Sequence, residues 1–74
     1  MHYVIVYYQG IDRETRLEKQ QRIYEGTESR CMKAAKNVVS IVDNCKRVDV
    51  RGPGGKLLRS YVHNVSGEVT YIDY

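Results

Sequence analysis

ESRCMKAAKNVVSIVDNC, residues Glu28 to Cys45, is the stretch on which the fold turns. Cys31, Ala34, Ala35, Val38, Ile41, Val42 and Cys45 recur at helical spacing and make one apolar stripe. Arg30, Lys33, Lys36, Asn37, Ser40 and Asn44 fall on the opposite face. Thr27 or Ser29 supplies an N-cap, and Glu28 complements the positive end of the helix dipole. A helix is therefore predicted over Glu28–Cys45, with Ala34 and Ala35 allowing close approach to whatever it covers.

The segments on either side have strand periodicity. HYVIVYYQ (2–9) is an unbroken β-branched and aromatic run, with Tyr3, Ile5 and Tyr7 facing one way and Val4, Val6 and Tyr8 the other. A strand apolar on both faces belongs inside a sheet. Residues 13–25 have a helical composition, and Glu18 and Arg22 would make an i, i+4 pair. Their apolar members, Leu17, Ile23 and Tyr24, form no helical stripe, so an edge strand over roughly Leu17–Glu25 is expected. After the helix, Arg47–Arg51 alternates, with Val48 and Val50 inward and Arg47, Asp49 and Arg51 outward. Gly52-Pro53-Gly54-Gly55 reads as a turn, Lys56–His63 as a strand, Asn64–Gly67 as a turn and Glu68–Tyr74 as a last strand. The expected architecture is one α+β domain over residues 1–74. It is two-layered, with an antiparallel sheet of four to five strands packed on a single helix in the order β-β-α-β-β-β.

Size and charge limit what such a domain does. A chain of 74 residues buries only roughly 60% of its unfolded surface, leaving little core from which to carve a deep cleft. The net charge of +3 suits an acidic or nucleic-acid partner and equally suits a solvated surface. Cys31 and Cys45, placed on one helix fourteen residues apart, would be roughly 21 Å from each other. A disulfide needs Cα atoms within about 7 Å, so both are read as buried thiols in a reducing, cytoplasmic setting. No leader segment and no run of apolar residues long enough for a membrane span is read.

Catalytic chemistry is not apparent in the residues. RGPGGK (51–56) lacks the spacing of a phosphate-binding loop and is followed by a strand. His2 and His63 have no Cys, Asp or Glu at ligand spacing, so no metal or other cofactor is expected. No nucleophile has a base held by a third group, and an enzyme is not expected.

Contact chemistry is better represented. All seven aromatic residues are tyrosines, side chains suited to half-wet interfaces. Two surfaces are candidates. One is the basic helix face, Arg30, Lys33 and Lys36. The other is the sheet face left uncovered by the helix, where Arg47, Arg51 and Arg59 interleave with tyrosines including Tyr61 and Tyr71. Tyrosine and arginine on one face serve protein hot spots or stack on nucleic-acid bases.

The order of elements, together with YVIVYYQ (3–9), EGTESRCMKAAKNV (25–38), GGKLLRSYV (54–62) and GEVTYIDY (67–74), resembles the small phage-encoded inhibitors of CRISPR–Cas systems, among them a type I-F inhibitor. This chain departs from that pattern in a longer second segment and more tyrosine. The resemblance implies a non-enzymatic protein that docks on a Cas effector complex in the host cytoplasm and interferes with hybridisation of target DNA, with Lys33 and Lys36 in the contact surface. From the residues alone, direct binding of DNA or RNA through the same basic groups stands as the alternative. Assembly through an exposed edge strand is a third option. A monomer or small homo-oligomer is expected.

Overall fold

Helix α1 occupies Glu28–Ile41, and the sheet beneath it is built to receive its small side chains. The computed structural model describes residues 1–42 and 44–74. The strands are β1 (His2–Ile11), β2 (Glu18–Gly26), β3 (Cys45–Arg51), β4 (Leu57–His63) and β5 (Val69–Asp73), with a short 3-10 turn at Pro53–Gly55. They form one antiparallel sheet in the order β2-β1-β3-β4-β5. This is the expected α+β, β-β-α-β-β-β arrangement. β1 is an interior strand and β2 an edge, as their compositions indicate. Because β2 and β3 both run antiparallel to β1, they are parallel to each other, and α1 crosses over β1 to join them.

The helix begins where its cap dictates. Thr27 is extended, and its hydroxyl accepts the N–H of Arg30 at 3.3 Å, satisfying one orphan donor of the first turn. It ends four residues earlier than its apolar pattern predicts. The N–H of Val42 still reaches the carbonyl of Val38 at 2.9 Å, but Val42 itself is extended (φ −86°, ψ 124°). Asn44 is left-handed (φ 61°), a conformation its short amide side chain tolerates. The β-branched run Val38, Val39, Ile41 and Val42 weakens the helix and suits the approach to a strand. Cys45 therefore opens β3, and its separation from Cys31 is not set by a helical rise. Both thiols are free, Cys31 buried and Cys45 half-buried, and burial raises the pKa of each. Position 43, read from the sequence as helical, lies outside the described residues.

The helix stripe is also rotated from the predicted one. Cys31, Ala35 and Val39 are the buried residues of α1, while Val38 is half-buried and Ile41 is 77% exposed. Facing them are Val4, Val6, Val48, Val50 and Tyr61. Ile23 joins this core through a β-bulge: Val4 pairs with Tyr24 and Ile5 with Arg22, so Ile23 is the extra residue. At the far end of α1, His63 Nε2 lies 2.7 Å from the carbonyl oxygen of Val39, and Nδ1 lies 3.1 Å from that of Gly67. The imidazole thus ties the last helical turn to the β4–β5 turn. No helix among the described residues is long and apolar enough to cross a membrane.

The rotation of the stripe moves the critical position by one residue. The sequence pattern singles out Val38→Asp as the unfolding substitution. Val39, 1% exposed, is the position where an unpaired carboxylate costs the most, about 3–5 kcal/mol, a large part of the stability of a small domain. Thermal melts are expected to show Val39→Asp unfolded and Val38→Asp destabilised but folded.

Candidate functional site

The strand alternation and the register divide the predicted tyrosine–arginine surface in two. On the face away from α1, Tyr3 and Tyr7 of β1 stand opposite Arg51 and Arg47 of β3, with Asp49 between them. The guanidinium of Arg47 lies 4.0 Å from the ring centre of Tyr7, and that of Arg22 lies 3.9 Å from the ring centre of Tyr3. Asp49, predicted to point outward, does so, yet it is only 1% exposed. Ser60 donates its hydroxyl proton to Asp49 Oδ1 at 2.6 Å, and Arg47 and Arg51 approach the carboxylate at 3.3 and 3.6 Å. Arg51 also donates to the carbonyl of Gly55 at 2.8 Å, and Arg47 reaches Glu18 at 3.7 Å. The two arginines therefore cover a buried carboxylate.

Arg59, Tyr61 and Tyr71 lie on the other face, a correction to the sequence reading. Tyr61 pairs with the inward Val48 and Arg59 with the inward Val50, so β4 turns these side chains toward the helix side. Tyr61 is a member of the core. Arg59 donates to the Tyr61 hydroxyl at 3.2 Å, grips Asp73 through two nitrogens and lies 4.0 Å from the ring centre of Tyr71. The rings of Tyr61 and Tyr71 meet tilted at 56°, 5.8 Å apart. The hydrogen bonds from Arg59 hold the Asp73 carboxyl below its ordinary range, and those to Asp73 and Tyr61 raise the guanidinium pKa. Likewise, the Lys46 ammonium lowers the Glu18 carboxyl.

The helix face behaves differently. Arg30, Lys33 and Lys36 are exposed, and among the described residues none of them forms an ion pair. Between α1 and the edge strand β2 runs a shallow groove lined by Tyr24, Arg30, Lys33, Ala34 and Asn37. Tyr24 and Asn37 were not among the expected contact residues. Gly26 carries the signal for Tyr24: a Cβ there would meet the tyrosine ring at 3.0 Å and press it outward, so glycine gives the ring room to lie against the backbone. Among the described residues, no three His, Cys, Asp or Glu side chains converge as metal ligands. No protein-family model, no curated protein and no solved structure matches this chain.

The chemistry of these three places is distinct. The outer sheet face is a compensated lattice in which each cation has an anion or an aromatic ring. The Arg59 cluster fastens β5 to β4. Of these three places, the helix face with its groove is the one whose cations lack ion-pair partners among the described residues; Arg13, Arg16, Lys19 and Lys56, elsewhere on the surface, form none either.

Asp49→Ala is expected to destabilise the fold by about 2–3 kcal/mol. Removing one partner of a buried ion pair costs roughly 3–5 kcal/mol, reduced here because the Arg47 and Arg51 side chains retain 33% and 26% exposure. Chemical denaturation measures this. The Asp73 carboxyl, lowered in the folded state, contributes stability above its ordinary value of 3.8 and loses it as pH falls through the lower folded value. Asp73→Asn should therefore flatten the acid limb of a stability–pH curve and leave its neutral limb parallel to wild type.

Proposed function

We propose that this protein is a non-enzymatic binding protein that docks on a host nucleoprotein complex through α1 and obstructs nucleic-acid binding there. A CRISPR–Cas effector in the host cytoplasm is the partner suggested by the resemblance in sequence pattern. One observation carries the reading: Arg30, Lys33 and Lys36 are exposed without ion-pair partners among the described residues, whereas Arg22, Arg47, Arg51 and Arg59 are paired. A cation already held by a carboxylate has little left to give an external anion, and breaking its pair would cost part of the new contact. Arg13, Arg16, Lys19 and Lys56 likewise form no ion pairs among the described residues, but they are spread over the β1–β2 connection, β2 and the turn before β4. Arg30, Lys33 and Lys36 instead fall within two turns of one helix and give α1 a face from which an acidic partner is approached and oriented. The outer sheet arginines, Arg47 and Arg51, serve as the support of that scaffold.

Direct nucleic-acid binding is the second reading. The ring of Tyr24, lying in the groove beside Arg30 and Lys33, favours it, since an aromatic face next to cations stacks bases while the cations meet phosphates. Both readings rest on exposed charges and weaken with salt, so bare nucleic acid separates the two, because the second reading requires no protein component. Contact with nucleic acid alone makes log affinity fall linearly with log salt, with a slope set by the phosphates neutralised.

Lys33→Glu combined with Lys36→Glu is expected to weaken capture of the partner complex from host lysate roughly a hundredfold, at about 1.4 kcal/mol per reversed charge. The circular dichroism spectrum should not change, because both residues lie on the wet side of α1. Undiminished capture by the double variant excludes the helix face as the docking surface. Binding to bare DNA or RNA in a gel shift at low salt, with no defined protein recovered, replaces the first reading with the second.

A further inference from the structure

The two edges of the sheet are not equivalent. β2 carries Lys19, Arg22 and Glu25 and contains the Ile23 bulge, features that discourage a further strand from adding. β5, VTYID, has no lysine, no proline and no break in its register with β4. Tyr71 and Ile72 are 53% and 52% exposed on its two sides.

The backbone of β5 sets a register. Asn64 donates its N–H to the carbonyl of Glu68 at 2.8 Å, and Tyr74 donates its N–H to that of Leu58 at 3.1 Å. The peptide groups of residues 68 and 74 thus face β4. Peptide groups alternate in direction along a strand, and the β4–β5 register is unbroken between these points. The N–H and C=O groups of Val69, Tyr71 and Asp73 therefore point away from the sheet, at its open edge.

We propose that β5 pairs antiparallel with β5 of a second copy of this chain, about a two-fold axis at Tyr71, joining the two five-stranded sheets into one. In that register Tyr71 meets Tyr71 of the second copy and Val69 meets Asp73. Each of these is a hydrogen-bonded pair that exchanges both bonds, so every outward group of β5 finds a partner. Thr70 meets Ile72. No like charges stand opposite each other, although each copy carries a net +3, and Asp73 is already compensated by Arg59. A single segment that satisfies its own outward groups by two-fold rotation is self-complementary, which is the requirement for an isologous dimer. The pairing leaves the exposed face of α1 free and does not depend on the docking reading.

Sedimentation equilibrium of the purified full-length protein, without any partner, tests this. A concentration-dependent species of twice the chain mass is expected, and a monomer up to the solubility limit overturns the proposal. Tyr71→Pro removes an N–H that points away from β4, so it should yield a folded monomer; a dimer that survives it overturns the proposed register. Thr70→Lys with Ile72→Lys sets lysines directly opposite each other and should also give a monomer, independently of the backbone change. Tyr71→Cys should form an intermolecular disulfide on mild oxidation, since hydrogen-bonded pairs bring Cα atoms to about 5.5 Å, within disulfide reach. Failure of a dimeric Tyr71→Cys to cross-link more than wild type moves the contact away from β5.

Discussion

Close packing of small side chains between α1 and the centre of the sheet is the contact on which the rest of the structure depends. Cys31, Ala35 and Val39 on the helix meet Val4, Val6, Val48 and Val50 on β1 and β3, all of them at most 1% exposed. Short side chains bring the helix near the backbone of the sheet, and tight interdigitation replaces volume as the source of cohesion. Such a core has no room for a deep cavity. The polar and aromatic chemistry of such a domain is therefore displayed on its outer surfaces.

The helix covers one sheet face, and the other must reconcile a wet side with a thin molecule. Asp49 is the key to that reconciliation. A carboxylate at the middle of the sheet is shielded by Arg47 and Arg51, which are in turn spread by Tyr7 and by the carbonyl of Gly55. Planar guanidinium groups suit this work because they stack on rings and grip carboxylates at once. The tyrosines provide apolar area without requiring a second layer. The same combination recurs on the helix side at Arg59, Tyr61, Tyr71 and Asp73, where it holds an edge strand. Most of the tyrosine–arginine chemistry in this chain therefore serves cohesion, and composition alone does not separate a hot spot from a scaffold.

Much of the architecture was legible in the residues. The one-residue alternation around Val4 and Val6, the GPGG turn, the Thr27 cap and the mixed polarity of β2 each has a local physical cause, and each sits where its pattern placed it. The inward stripe of α1 was harder to read. Val38 and Val39 are chemically identical, and the choice between them depends on how the helix rolls on the sheet. The end of the helix was obscured because an apolar run before a strand continues a helical pattern for several residues.

Local periodicity by itself determined the element types, their order and the wet, cationic side of the helix, because each follows from side chains within a few positions of one another. Only the tertiary structure decided which arginines are free. Whether Arg47 meets a carboxylate, whether Arg59 turns toward the helix or away from it, and whether Tyr24 fits over Gly26 depend on strand register and on contacts between residues distant in the chain. Ion pairing is a property of distances in space, and the charge pattern along a sequence contains no such distances.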